Sequence, residues 1–447
     1  MVIIAILIVS FLSSLLGKYL FKKWLNHLTV YSVIWGFMLF LFELRFLPYQ
    51  DLKQITWYFI LASYISFLFG TLTVFAARKL YNKPNVFAEK LKIDLSIFVD
   101  NGKTVKYLTF FFSTLCLIAA LQNWDVLLNM YGSISAVLLN ANKTYQLSTR
   151  GAVKGVIPYI SFIGYVAIFF SAIYTAYKGR FSLLTFFPFI GILLKEIAIV
   201  GRAGMLFALL EFIFSFFLFR HLLRNDSKDR FRFSKSNAIV ATSILIIFFV
   251  FSASLVRLSR GANESYKGAS SELRGSKENI VLSPSLYLYL SSDIGVLNHY
   301  LMSGGEDTGF GYNTFLSAYN LLAKFGVVER TSDFQKGYYI PMWTNTGTYI
   351  RELHADFGDL GVFIGPYILG LLITFLWFRF YESKKTVLLV LLVYLYLIVG
   401  FSFLVIVTRL LYWILTLVFI VCCVYLLEKK SKLNLSLNHL GSGASND

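Results

Sequence analysis

Five ionisable residues lie close together in one short stretch of the chain: Arg351, Glu352, His354, Asp356 and Asp359. At 100° per residue along a helix, Arg351 and His354 fall on one flank and the three carboxylates on the other. A cationic edge beside an acidic edge could hold a phosphate and accept a proton. Asp356, His354 and Glu352 are therefore candidate general bases, in that order.

The same projection gives this predicted helix one apolar face. The face consists of Tyr349, Ile350, Leu353, Phe357 and Leu360. Periodicity alone also fits a helix that lies on a membrane surface with its charges solvated. Both interpretations stay open at this point.

Four further arginines lie where apolar segments end. They are Arg202 in the sequence GRAG, Arg257 and Arg260 in VRLSRG, and Arg409. A guanidinium group is planar, keeps its charge and can bind two phosphate oxygens at once. Together with Arg351, these side chains could ring an anion site. Arg202 could equally snorkel to the membrane surface or pair with Glu196.

The composition determines which elements must position these residues. Of the 447 residues, 57% are hydrophobic and 15% are charged, whereas soluble domains have roughly a quarter charged residues. A soluble fold is excluded, and apolar blocks of about 20 residues predict membrane-spanning helices. We predict eleven spans, at 1–17, 29–47, 55–77, 107–121, 156–177, 181–199, 203–221, 238–257, 359–380, 386–404 and 410–427.

The net charge of +17 raises the question of nucleic-acid binding. More than half of the Lys and Arg fall in alternate connections between spans, as expected for the cytoplasmic side of a membrane protein. The charge therefore favours a membrane topology with the N-terminus outside and the C-terminus in the cytoplasm, and no nucleic-acid partner.

Two outer segments are too long to be simple turns. The segment 122–155 predicts short helices at the membrane interface. The segment 257–358, of about 100 residues, predicts a structured extracytoplasmic loop with helices near 283–301, 313–325 and 346–357. The residues 428–447 predict a flexible tail. The five His form no HExxH motif and the three Cys lie in apolar blocks, so we expect no metal or other cofactor.

The chain resembles the bacterial oligosaccharide repeat-unit polymerases, often called O-antigen polymerases. The resemblance rests on the multiple spans, the GRAG turn between two of them, and two segments of the large outer loop. These segments are Leu286–Gly326 and Thr344–Gly370. It implies an all-α polytopic protein of the bacterial plasma membrane with one large extracytoplasmic loop.

The implied activity is glycosyl transfer between lipid-linked repeat units, with undecaprenyl diphosphate as the leaving group. Arg202, Arg257, Arg260, Arg351 and Arg409 would then surround the diphosphates, which arginine can stabilise without a metal. The donor and acceptor are both undecaprenyl-diphosphate-linked oligosaccharides, and these pathways usually include a separate chain-length regulator.

Three alternatives remain at this point. A flippase for lipid-linked oligosaccharides would carry charges along a central cavity and would not need a large structured loop outside. The related O-antigen ligases typically have a His-Asn pair where this chain has Thr344-Asn345, and this difference favours a polymerase. The third alternative is a structural subunit of a glycan export complex.

Overall fold

The computed structural model of the chain is mostly α-helical. The structure describes residues 2–82, 98, 100, 102–140, 143, 144, 147, 162–199, 201–223, 243, 246, 284–306, 308–329, 335–340, 343–383 and 385–443. The chain divides into two compact units, each made of segments that are distant in sequence. The sequential division into 1–256, 257–358, 359–427 and 428–447 follows from the predicted spans and stays a prediction of membrane topology.

The first unit comprises Met1–Phe87, Val250–Phe378 and Leu395–Leu411. Its helices are α1 (Val2–Phe21), α2 (His27–Glu43), α3 (Gln54–Leu80), α9 (Pro284–Met302), α10 (Leu316–Lys324), most of α11 (Tyr349–Ser383) and the end of α12 (Thr386–Phe401). Two short antiparallel strands, β1 (Tyr338–Tyr339) and β2 (Trp343–Thr344), precede α11. A 3-10 turn, Val407–Arg409, follows α12.

The second unit comprises Ala88–Phe249, Arg379–Tyr394 and Tyr412–Asp447. Its helices are α4 (Lys103–Tyr131), α5 (Ile134–Leu139), α6 (Phe162–Lys178), α7 (Leu183–Ile199), α8 (Ala203–Leu223), the start of α12 and almost all of α13 (Leu411–Gly443). Helix α4 packs along α6 and α7, and α6 also packs against α8.

Each predicted span that falls within the described residues overlaps a helix, and 238–257 lies almost entirely outside them. Six of the described helices are long and apolar enough to cross a membrane, and three more are apolar but shorter. Two boundaries differ from the prediction. Helix α4 continues to Tyr131 instead of ending at 121, and α13 extends to Gly443, where a flexible tail was expected from 428.

Basic residues gather at one end of the first unit. Phe21, at the end of α1, packs its ring against Phe75 of α3 and Phe378 of α11. Arg78 lies over the Phe378 ring, with the guanidinium carbon 4.2 Å from its centroid. Lys18, Lys22, Lys23, Arg78 and Lys79 therefore share this end, which we call the basic end. Helix α11 begins beside Tyr31 of α2 and Ser63 of α3.

Buried polar contacts determine where α11 begins. The Tyr349 hydroxyl lies 2.8 Å from that of Tyr31 and 2.6 Å from that of Ser63. Its backbone N–H donates to Ser402 O at 2.9 Å, and Trp35 donates to the Ser402 hydroxyl at 2.8 Å. Because buried polar groups need partners, these contacts fix the first turn of α11 against α2, α3 and the segment after α12.

Helix α11 is broken at Gly358, which has φ 62° and ψ −157°. This backbone region is almost restricted to glycine. The helix therefore consists of a short charged part, 349–357, and a long apolar part, 359–383. The charged part lies next to the loop that precedes α10, since Gly311 N donates to Asp356 O at 3.4 Å.

Close backbone packing of α3 against α11 predicts a stability effect. A Cβ added at Gly70 would touch Tyr367 O and lie 2.8 Å from Leu371 N, and one at Gly370 would lie 3.0 Å from Phe67 C. Because such overpacking costs about 1–3 kcal/mol, we expect Gly70→Ala and Gly370→Ala to lower the melting temperature in detergent. Ile368→Ala, at a position 47% exposed, is the control. Equal melting temperatures of the three variants would contradict this close packing of α3 against α11.

Candidate functional site

A pocket of about 250 Å³ opens in the first unit beside the charged part of α11. Three cationic and two acidic side chains line it. They are Lys336, Arg351, Arg409, Glu306 and Glu352. Neutral residues complete the lining, namely Thr308, Tyr312, Asn313, Gln335 and Ala355. We call this site the arginine pocket.

Arg351 is almost fully buried, with 2% of its surface exposed. Its guanidinium lies between two tyrosine rings, 5.4 Å from the centroid of Tyr300 and 5.1 Å from that of Tyr338. It donates to Lys336 O at 2.8 Å and lies 3.5 Å from the Glu306 carboxylate. Cation–π contacts and the ion pair hold this cation at the pocket wall, where an anionic ligand could reach it.

Glu352 and Arg409 form a buried ion pair, with 3.0 Å between Arg409 Nη1 and Glu352 Oε1. Their side chains are 0% and 5% exposed. Gln335 and the Ile406 N–H also donate to the carboxylate, and Arg409 donates to Asn313 Oδ1. These partners satisfy two charges that burial would otherwise make unfavourable.

Asp356 is surrounded by donors. Its carboxylate accepts five hydrogen bonds of 2.7–2.9 Å, from the Thr308 hydroxyl and from the backbone and side chains of Asn313 and Thr314. The two backbone N–H groups belong to the loop that leads into α10. This carboxylate therefore anchors the loop that carries Asn313 into the pocket, and it is not among the residues that line the pocket.

His354 points away from the pocket lining. One ring nitrogen, Nδ1, lies 2.8 Å from the Tyr300 hydroxyl, and Nε2 lies 3.1 Å from the Asp359 carboxylate. Asp359 is largely exposed, at 72% of its side chain. The imidazole thus links the outside of the first unit to Tyr300, which supports Arg351.

The helical projection is wrong about Asp359 and about Leu360. Asp359 pairs with His354 and does not join Glu352 and Asp356, because the break at Gly358 changes the direction of the chain. The alternative of a surface helix with solvated charges is also wrong, since Arg351, Glu352 and Asp356 are 2%, 1% and 5% exposed. Leu360, assigned to the apolar face, is 68% exposed.

Among the described residues, one further predicted anion ligand, Arg202, does not line the arginine pocket. Arg202 belongs to the second unit and is 7% exposed. Glu196, its suggested partner, forms an ion pair with Lys195 at 3.3 Å. Arg257 and Arg260 lie outside the described residues.

Sequence reasoning missed Glu306, Lys336, Asn313 and the two tyrosines beside Arg351. These residues are far from α11 in sequence and have no helical periodicity with it. One signal was available in the sequence SGGEDTGFGYN around Glu306. Its glycines at 304, 305, 309 and 311 all adopt positive φ, which lets this loop turn sharply.

A further buried carboxylate lies behind Arg351. Asp293, on α9, is 1% exposed. Burial raises its pKa well above the ordinary value, and Thr346 and Arg351 offset this only in part. Burial likewise raises the pKa of Tyr300 to about 12. Burial thus favours the neutral form of both groups.

Within the described part of the chain, no group of three or more His, Cys, Asp or Glu is placed to hold a metal ion. No protein-family model, curated protein or solved structure matches the chain. The chemistry of the arginine pocket is therefore the basis for assigning a function.

The hydrogen bonds of Asp356 predict a loop-anchoring role. Asp356→Ala removes the acceptor of two backbone N–H groups, and each buried donor left without a partner costs about 1–3 kcal/mol. We expect faster hydrogen–deuterium exchange in peptides covering 308–316 and a lower melting temperature. Asp359→Ala, which removes an exposed carboxylate, is the control and should leave this exchange unchanged. Unaltered exchange in Asp356→Ala would rule out the anchoring role.

The raised pKa of Asp293 predicts a pH-dependent stability. When the pKa of a carboxyl is higher in the folded than in the unfolded protein, the free energy of unfolding falls as pH rises above the pKa of the unfolded state. The loss is up to about 1.4 kcal/mol per pH unit and stops at the pKa of the folded state. Asp293→Asn should therefore raise the melting temperature, and by more at pH 8 than at pH 5. Asp51→Asn, with a side chain 97% exposed, should not. A gain that is the same at both pH values would argue against a raised pKa of Asp293.

Proposed function

We propose that the chain is a membrane glycosyltransferase that polymerises undecaprenyl-diphosphate-linked oligosaccharide repeat units. The observation that supports this most is the convergence of two buried arginines, Arg351 and Arg409, on one pocket beside Glu352. A lipid diphosphate carries the negative charge that such a pocket is suited to bind.

In this proposal Arg351, Arg409 and Lys336 hold the diphosphate of the donor. Phosphate oxygens would take the place of Glu306 as the partner of Arg351. When the glycosidic carbon separates from the diphosphate oxygen, negative charge develops on the leaving group. Guanidinium groups fixed in a dry pocket stabilise that charge most effectively, because they need no reorganisation during the reaction.

Glu352 is the candidate base that we favour. Of the three bases predicted from sequence, it alone lines the pocket, whereas Asp356 anchors a loop and His354 faces Tyr300. Its carboxylate would accept the proton of the acceptor hydroxyl while that oxygen bonds to the donor sugar carbon. The bond from this carbon to the diphosphate breaks, and undecaprenyl diphosphate leaves with its electron pair.

The membrane topology is part of the proposal. We infer about eleven spans in the bacterial plasma membrane, with the N-terminus outside and the C-terminus in the cytoplasm. The first unit supports this arrangement, because its basic end and the arginine pocket lie at opposite ends of α11. With basic residues in the cytoplasm, the pocket would face the outside, where lipid-linked repeat units are joined.

An assay of polymer formation tests this function. Purified protein in lipid vesicles would receive synthetic undecaprenyl-diphosphate repeat units, and the products would be separated on a gel. We expect a ladder spaced by one repeat from wild type. Arg351→Ala, Arg409→Ala and Glu352→Gln should each reduce it at least 100-fold, since each removes charge stabilisation or the base. The control Lys53→Ala removes an exposed cation near Asn298 and should keep full activity.

Two results would count against the proposal. A wild-type ladder from folded Arg351→Ala and Arg409→Ala would remove the arginine pocket from the reaction. Movement of the lipid-linked sugar across the bilayer without any ladder would instead indicate a flippase.

A further inference from the structure

Helix α10 exposes an apolar face. Ala318, Leu321, Leu322 and Phe325 follow the spacing i, i+3, i+4 and i+7, which places them on one side of the helix. All four are exposed, with Leu321 at 55%, Leu322 at 41% and Phe325 at 74%. A helix surrounded by water would turn this side inward, so the face needs an apolar environment.

The opposite side of α10 is fixed to the first unit. Leu316 is 2% exposed, and the Ser317 hydroxyl donates to Arg409 O at 3.0 Å. Just before the helix, Thr314 O accepts from the Thr408 hydroxyl at 2.8 Å. The helix therefore cannot turn its apolar face inward without losing its contacts with the turn Val407–Arg409.

Two segments that contact α10 and the loop before it place the helix at the membrane level where candidate spans begin. The turn Val407–Arg409 is followed directly by the apolar helix at Leu411–Lys430, a candidate span. The loop before α10 contacts the end of the charged part of α11, next to the break at Gly358 after which the apolar part begins, since the rings of Phe310 and Phe357 lie 5.0 Å apart. Both neighbours connect to segments that would enter hydrocarbon.

Further exposed apolar side chains lie in the loop before α10 and along α11. Phe310 and Phe315 are 79% and 54% exposed beside Phe357. From there, exposed side chains continue down α11 at a spacing of four residues, as expected for a face that meets lipid. They are Leu360, Ile364, Ile368 and Leu372. The occupant that fits the whole surface is the acyl chain of bilayer lipid.

We propose that α10 lies in the membrane interface, with Ala318, Leu321, Leu322 and Phe325 inserted at the boundary between headgroups and acyl chains. This is the geometry of an amphipathic helix that binds a membrane without crossing it. The inference stands on exposure and on neighbouring spans, so it holds whether or not the chain is a glycosyltransferase.

One consequence concerns the arginine pocket. Tyr312 and Asn313 line the pocket and belong to the loop that leads into α10. An inserted α10 keeps this loop at the level of lipid headgroups. The arginine pocket, which this loop helps to line, then lies near the level of the lipid headgroups.

Spin labels test the position of α10 in lipid vesicles. Cys116, Cys422 and Cys423 are replaced by Ala, and a nitroxide is attached at Leu322→Cys or Phe325→Cys. Power saturation then compares collisions with oxygen, which concentrates in lipid, and with a water-soluble nickel chelate. Leu360→Cys, at the exposed start of the α11 stripe, is the lipid control, and Glu329→Cys, at an exposed position after α10, is the water control.

We expect the oxygen-to-nickel ratio at 322 and 325 to approach that at 360 and to exceed that at 329 several-fold. Ala318→Cys gives the same comparison with the smallest change of side chain, should the larger substitutions disturb folding. Nickel access at 318, 322 and 325 equal to that at 329 would overturn the proposal. Shielding from both reagents would also overturn it, because it would indicate a protein partner on this face.

Discussion

The ion pair between Glu352 and Arg409 places two opposite charges where almost no water reaches them. A buried pair of this kind is stable only when each charge has further partners, because the loss of hydration costs several kcal/mol per ion. Here the partners come from three separate segments, through Gln335, Ile406 and Asn313. The pocket is therefore held together by the need to satisfy these two charges.

Other features of the pocket follow from this constraint. Asn313 reaches Arg409 only because Asp356 fixes its loop through backbone and side-chain donors. Asp356 and Glu352 are one helical turn apart, so the first turns of α11 determine both contacts. The contacts of the Tyr349 hydroxyl with Tyr31 and Ser63 hold these first turns in position. A chain of contacts thus connects the interior of the helical unit to the pocket wall.

The sequence predicted the helices well, because apolar blocks and turn residues act locally. It also identified Arg351, Glu352 and Arg409 as residues that could act together, although the last is far from the others in the chain. It ranked Asp356 and His354 before Glu352, because it could not show that these two side chains have partners from the segment 300–314, which has no periodic relation to α11. It placed Asp359 on the wrong flank because a helical projection assumes continuous helix through Gly358.

The arginines that were predicted to act together are not all found in one site, because this too depends on how distant segments pack. A shared position at the ends of spans suggested one ring of cations, but position along the chain does not determine which spans pack together. Arg351 and Arg409 line one pocket, whereas Arg202 belongs to the other compact unit. Two cations in one pocket, supported by Lys336, still provide enough charge to bind a diphosphate.

The central claim is that the arginine pocket is the diphosphate site. The most direct measurement is a cryo-electron-microscopy map of the protein in lipid with a non-hydrolysable phosphonate analogue of an undecaprenyl-diphosphate sugar. We predict phosphorus density within hydrogen-bonding distance of Arg351 and Arg409, with the first sugar beside Glu352. Density for the two phosphorus atoms elsewhere in the protein, with Glu306 still paired to Arg351 in the arginine pocket, would contradict the claim.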